Sequence, residues 1–305
     1  MTLLLLSLVF GGPAVAQESV WPAEGVAVEL PAAGPLVNVI DAGAEPRHEL
    51  KFAPKTGTTE KMSLSMDMTM SMKVMGMPMP AMPVPTLVLD HDVVVLEPTP
   101  SGNLRYRVEV VDVRVEGEGM VADQMKSQLD SSIRGLSTEV ELTPSGRPVE
   151  VEYKLPAGAN QADDQKAMEN LQRQSSELCA PLPEQPIGVG GSWEVISKTE
   201  NSGLEVFSRA LYTVTSITGS SIDLALQLEQ RLVDGKITQG LPSGADAEVQ
   251  SFTSMGEGAM SLSVDKLVGV SSMKMVTDMS MAVTVAGAQN TMESVTTMEM
   301  KMSPL

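Results

Sequence analysis

Apolar and polar positions alternate along most of this chain. From Met62 to Val74 every even position is apolar (Met62, Leu64, Met66, Met68, Met70, Met72, Val74) and every odd one is polar or charged. Successive side chains of a strand point to opposite faces, so this period of two predicts a β-strand with one thioether-coated face. The alternation returns at Met279, Met281, Val283 and Val285, and again at Met298, Met300 and Met302. The same pattern predicts strands near residues 35–40, 58–75, 86–97, 103–116, 193–199, 203–217, 221–233, 257–268, 270–285 and 290–302, and a hairpin from 137–143 and 148–154. Thr143-Pro144-Ser145-Gly146 and Thr218-Gly219-Ser220-Ser221 supply turn chemistry between neighbours. Strands that bury one face and wet the other belong to antiparallel sheets.

A different period marks the helices. Val121, Met125, Leu129 and Ile133 recur every four residues, with Gly135 as a stop, and predict a helix near 119–135. Asn160 can cap a second, with Asp163 and Asp164 in its first turn, where negative charge suits the helix dipole. A third, short helix is expected at 243–253. The fold class is therefore mainly β (α+β): a curled antiparallel sheet with one to three helices packed on its concave face. Residues 17–47, rich in Ala, Pro, Gly and Val, read as an extended arm, and 48–305 as a single β-rich domain. Three strands, a helix and more strands are expected in both 48–180 and 181–305, the order of an internally duplicated half-barrel.

Residues 1–16 carry no charge, and Ala14-Val15-Ala16 fits the small-x-small pattern of a signal peptidase site. Cleavage near Ala16–Gln17 and export to the periplasm or cell envelope are expected. The missing basic n-region points to an upstream start or an atypical signal. Gly11-Gly12-Pro13 breaks the apolar run well short of the roughly 20 residues a spanning helix needs, so no stable membrane span is expected. The net charge of −18 opposes binding to nucleic acid, and aromatics at 3% leave little for base or sugar stacking. Cys179 is the sole cysteine, so there is no intrachain disulfide, and Leu178-Cys179-Ala180 suits a small buried hydrophobe.

Methionine changes the picture most. Nineteen of the 23 lie in two segments, nine from Met62 to Met82 and ten from Met255 to Met302. Strands usually take Val, Ile and aromatics; a methionine face is softer and more adaptable. The candidate wall of an apolar ligand cavity is Met62, Leu64, Met66, Met68, Met70, Met72, Met279, Met281, Val283 and Val285, and the ligand class it suits is an acyl chain or lipid. Met75, Met77, Met79 and Met82 lie in a loop whose prolines Pro78, Pro80, Pro83 and Pro85 forbid a central strand, and they are the candidate mouth or flap. Two other readings stand beside this one. The methionines can simply fill the core of a structural or protein-interaction domain, or the Met75–Met82 loop can bind Cu(I), which thioethers favour. No cofactor is expected, and no motif names a protein partner.

Catalysis finds little support. His48 and His91 are the only imidazoles. His48 reads as solvated beside Arg47 and Glu49. The strand phase puts His91 on the apolar face with Leu87, Leu89, Val93 and Val95, and turns Asp90 and Asp92 the other way, so no triad forms. The run Gly188-Val189-Gly190-Gly191 precedes a strand rather than a helix and is not a phosphate loop. The protein is expected not to be an enzyme.

Two motifs carry a resemblance. Ala42-Gly43-Ala44-Glu45-Pro46-Arg47, followed by Leu50-Lys51-Phe52, and downstream Pro183-x-x-Pro186-Ile187-Gly188-Val189-Gly190-x-x-Trp193, resemble an exported bacterial family of unknown function. That resemblance implies no activity. In element order alone the chain is also similar to periplasmic lipoprotein-carrier half-barrels, which implies a space between sheet and helices that holds acyl chains.

Overall fold

The computed structural model describes residues 19–21, 30–31, 34–80, 82–117, 119–154, 179–201, 204–237, 245–285 and 288–305. In chain order its elements are β1 (Leu36–Asp41), β2 (Thr59–Val74), β3 (Met77–Pro78), β4 (Met82–Pro83), β5 (Thr86–Leu96), β6 (Leu104–Glu116), α1 (Met120–Ser132), β7 (Ser137–Leu142), β8 (Pro148–Lys154), β9 (Ser192–Asn201), β10 (Leu204–Thr218), β11 (Ser221–Asp234), β12 (Lys236–Ile237), β13 (Ala245–Ser263), β14 (Val270–Val285) and β15 (Ala288–Pro304). The protein is mainly β, and its strands form one antiparallel sheet that is not closed. The order is β1-β9-β10-β11-β13-β14-β15-β2-β5-β6-β7-β8, with β12 on β13 and β3 and β4 on β2.

Laid flat, twelve strands at 4.7–4.9 Å spacing would be about 53 Å wide. Yet one apolar cluster takes residues from both edges and the middle. It joins Trp193 of β9, Tyr212 of β10, Ile222 of β11, Met302 of β15, Met62 of β2, Tyr106 of β6 and Val140 of β7, with Val37 of β1 and Val151 of β8 packed against it. A single face can reach itself that way only by curling, and this face is the concave one. The edges come close without pairing: a Cβ on Gly34, just before β1, would lie 3.7 Å from the Pro148 carbonyl oxygen of β8.

Trp193 anchors this core. It is fully buried, stacks on Tyr212 with centroids 5.2 Å apart, and donates its indole N–H to the Pro181 carbonyl at 2.9 Å. A second cluster on the same face lies under α1, where Ile133, Leu136 and Leu129 meet Leu89 of β5 and Val110 and Val113 of β6. The four-residue stripe thus packs on the sheet at Leu129 and Ile133. The expected helix beginning at Asn160 lies outside the described residues.

One expectation is overturned. The short helix expected at 243–253 does not form, because β13 runs unbroken from Ala245 to Ser263. Ala-Asp-Ala-Glu-Val-Gln has little strand preference of its own. Pairing with β14 over the whole length decides the matter, and Ala247 and Val249 are buried while Asp246, Glu248 and Gln250 are exposed. Among the described residues, a helix between strands therefore occurs only in the first half.

The two sequence motifs meet in space. The Ala44 N–H donates to the Val189 carbonyl and the Gly188 N–H to the Ala42 carbonyl, both at 2.9 Å. His48 and Ile187 exchange both backbone bonds as an isolated bridge. Gly190 N–H and Val214 N–H extend the clasp to β10 through the Val214 and Gly191 carbonyls. The motifs bind the approach to β2 against the approach to β9. Their residues are structural.

On the convex face the arm is pinned by a buried acid. The Glu194 carboxylate has no exposed surface and accepts from Ser19 Oγ (2.7 Å), Val20 N–H (2.7 Å), Asn38 Nδ2 (2.9 Å) and Arg209 Nε (2.8 Å). Next to it the Arg231 guanidinium lies 4.8 Å over the Trp21 ring.

Candidate functional site

The concave face carries its methionines on three adjacent strands in matching register. Met273 of β14, Met300 of β15 and Met66 of β2 stand opposite one another in turn, and two residues along so do Met275, Met298 and Met68. Met281, Met292 and Val74 form a third row. Directly opposed Cβ atoms lie about 4.5–5.5 Å apart, which puts neighbouring thioethers within reach of one another. On β13, Gly258 and Gly256 oppose Met273 and Met275 and put no side chain into those rows.

The rows grade from core to wall. Met62 and Met302 are buried in the main cluster, with Leu64 and Met273 packed against it. Met66 packs against the second cluster beneath α1. Beyond them Met68, Met70 and Met72 stay half-buried, while Thr69 and Ser71 between them are exposed. Met279, Met281 and Val283 are half-buried on the same face, and the side chain of Val285 lies outside the described residues. The structure thus brings the expected wall residues of β2 and β14 to one face, but separates them by β15. Met273, Met275, Met292, Met298 and Met300 stand in these rows too, beside the ten wall residues expected from the sequence. The signal for them was present, since Met273-Lys274-Met275 and Met298-Glu299-Met300 alternate as Met66-Asp67-Met68 does.

The methionine loop lies at the far end of β2. Met75 and Gly76 both have positive φ, 54° and 76°, and close a two-residue hairpin turn from β2 into β3. Met75, Met77 and Met79 are exposed, at 64%, 65% and 47%. The side chain of Met82 lies outside the described residues. Among the described residues no group of three or more His, Cys, Asp or Glu could hold a metal ion, so any metal at this loop would rest on thioethers alone.

His91 is the polar residue of this face. It is 5% exposed, opposes Met62 on β2 and Val110 on β6, and its Nδ1 has no hydrogen-bond partner. Burial pulls its pKa down to about 4, against the Leu89 carbonyl and the Asp90 charge, which raise it. Asp90 points to the other face, where Arg114 and Ser63 donate to it. Burial works to raise the Asp90 pKa, but those hydrogen bonds and the Arg114 charge hold it below the ordinary value. Neutral His91 has a stability consequence. As pH falls below 6.5 the unfolded chain takes up this proton first, so the native state loses stability down to about pH 4 and no further from this group. His91→Leu is expected to remove roughly 3 kcal/mol of that acid loss. Urea midpoints of both proteins at pH 7 and pH 4 would measure it, and an unchanged acid loss in the variant would refute it.

Cys179 is buried in the main core, and burial pushes its thiol up to about 12. It is a packing residue, as its sequence context suggested. His48 is exposed and acts through its backbone bridge to Ile187. Among the described residues no helix is long and apolar enough to cross a membrane.

No family model matches this chain, and no curated protein matches it. Among solved structures, the crystal structure of Pseudomonas aeruginosa OccK2 (OpdF) aligns over 81% of this chain and 98% of its own, with 7% identity and a TM-score of 0.12. A likeness that low carries no argument about fold or function.

Proposed function

We propose that this is an exported, non-catalytic protein that binds an acyl chain or a similarly apolar molecule on its concave methionine wall. The observation that carries the reading is the matched rows of Met66, Met68, Met273, Met275, Met298 and Met300, most of them half-buried on the same face as the packed core. A core needs volume filled once, in one arrangement. A wall that accepts chains of differing length gains from unbranched side chains with several rotatable bonds and a polarizable sulfur. Apolar sites of this kind offer little hydrogen bonding, and the wall has little to offer beyond His91 and a few hydroxyls such as Thr296.

Native mass spectrometry of the protein from its own envelope fraction, purified without detergent, tests the proposal directly. Extra mass of a few hundred daltons, lost on denaturation and identified as lipid, is expected. A bare mass, together with no binding of a fluorescent fatty acid by stripped protein, would overturn the carrier reading in favour of a methionine-packed structural domain. Variants sharpen the test. Met68→Asp with Met298→Asp places two charges in the wall and should weaken fatty-acid binding by roughly a hundredfold or more, while Met68→Leu with Met298→Leu should leave it within about threefold, because it keeps apolar area.

A further inference from the structure

One corner of the sheet presents a methionine turn without charge, in a chain that otherwise carries a large negative charge. There, β2 turns into β3 at Met75-Gly76, beside the paired ends of β14 and β15. On the far side of β14, exposed Asp246 and Glu248 of β13 oppose Thr284 and Ala282. No charged residue occurs from Val74 to Leu89 or from Met279 to Met292, against a net charge of −18 for the whole. Three methionines stand out from this end, Met75, Met77 and Met79, each about half exposed or more. Lys73 and Glu293, where charge resumes on β2 and β15, pair with each other at 3.3 Å.

Backbone chemistry distinguishes the occupants such an end could have. A protein partner that adds a strand needs a row of free N–H and C=O groups. Here the Met75 N–H is given to the Thr291 carbonyl at 2.9 Å and the Met79 N–H to the Met72 carbonyl at 2.8 Å. Pro78 and Pro80 have no N–H. Four of the six residues from Met75 to Pro80 thus have no N–H donor left to strip of water. Burying a polar group without a partner in an apolar medium costs roughly 2–7 kcal/mol, and this segment avoids most of that cost. Met75 is also the one non-glycine residue with positive φ among the described residues. Asn, Asp or Gly favour that position, so the turn carries an apolar side chain where a polar one would fit better. Exposed apolar side chains, satisfied or absent donors and the lack of charge within the turn itself together match the interface of a lipid bilayer.

We propose that this end, led by Met75, Met77 and Met79, docks on the surface of a bilayer and seats its methionines among the lipid head groups and upper acyl chains. The inference goes beyond ligand binding on the concave wall and does not require it. The acidic remainder of the protein would be repelled by anionic lipid, so the fitting surface is zwitterionic.

The test uses the whole protein with phosphatidylcholine vesicles. Met77→Cys takes an environment-sensitive fluorophore selectively, because Cys179 is buried. Thr69→Cys, on the exposed face of β2, serves as the control. On the fraction that floats with vesicles, the label at 77 should shift to the blue and be quenched by spin-labelled acyl chains, while the label at 69 should stay water-like. Met75→Asp with Met77→Asp should lower the vesicle-bound fraction roughly tenfold or more, while Met75→Leu with Met77→Leu should keep it within about threefold. Four results would overturn the proposal: no flotation, flotation without a shift at 77, an equal shift at both labels, or tighter binding to anionic phosphatidylglycerol vesicles. Loss of fatty-acid binding in an otherwise normal flotation experiment would refute the carrier reading and leave this one standing.

Discussion

Gly188→Ala should unfold the protein or leave it barely stable. A Cβ at this position would lie 1.8 Å from the Ala44 carbonyl oxygen, 3.0 Å from its carbon and 3.1 Å from the Pro46 carbonyl oxygen. These are backbone atoms of the facing motif and cannot swing aside. To admit one methyl group the clasp must part, and with it go the Gly188–Ala42 and Ala44–Val189 hydrogen bonds. Overpacking alone costs about 1–3 kcal/mol, and each lost backbone bond adds about 1 kcal/mol. A total above roughly 3 kcal/mol takes a large share of the 5–15 kcal/mol that holds a domain together. Gly190→Ala is the matched comparison. It lies in the same loop with a φ of 81°, and a Cβ there would meet no atom within 4 Å, so its cost is only the left-handed backbone, about 1–2 kcal/mol. Urea midpoints of the two variants, with soluble yield, decide the matter. A Gly188→Ala protein as stable as Gly190→Ala would mean that the motifs do not touch as described.

Glu194→Ala should cost about 3–5 kcal/mol, the usual penalty for removing one partner of a buried ion pair. The change leaves Arg209 without its closest carboxylate, since Glu229 stands 3.9 Å away, and takes the acceptor from Ser19, Val20 and Asn38. Glu194→Gln keeps the shape and some of the bonds and should cost less. The pH dependence is the sharper signature. Burial works to raise the Glu194 pKa, but the hydrogen bonds from Asn38, Ser19 and the Val20 N–H, with the Arg209 charge, hold it below the ordinary 4.5. A carboxyl depressed in the folded state stabilises fully above its unfolded value and loses that contribution as pH falls through the folded one. Wild-type stability should therefore drop below about pH 4.5, and the Glu194→Gln curve should be flatter there. Parallel acid curves would refute the assignment. Because Ser19 and Val20 are partners, the same substitution should free the arm to proteolysis near Trp21.

Much of this was legible along the chain. Alternation located β2, β5, β6, β10, β11, β14 and β15 within a few residues, and the apolar phase of His91 matches its burial between Leu89 and Val93. The four-residue stripe ending at Ile133 located α1. Failure came at Ala245–Gln250, where a composition poor in strand formers reads as helix until β14 is known to lie beside it. The motifs around Gly43 and Gly188 were visible as motifs, but not as partners. More than 140 residues separate them, and no local pattern states which glycine faces which carbonyl.

The sequence by itself determined which residues share a face. That is a property of neighbours two apart on one strand, set by backbone geometry before any packing occurs. It therefore determined that β2, β14 and β15 each carry a methionine face, and that the Met75–Pro85 stretch cannot be a central strand. Tertiary structure alone decided that β15 lies between β14 and β2, in the register that sets Met298 against Met68 and Met300 against Met66. It also decided that the sheet curls until both edges serve one core, and that Met75, Met77 and Met79 end exposed beside the paired ends of β14 and β15. Pairing between strands more than 200 residues apart is settled by the summed burial and hydrogen bonding of the whole sheet, and no single segment encodes that sum.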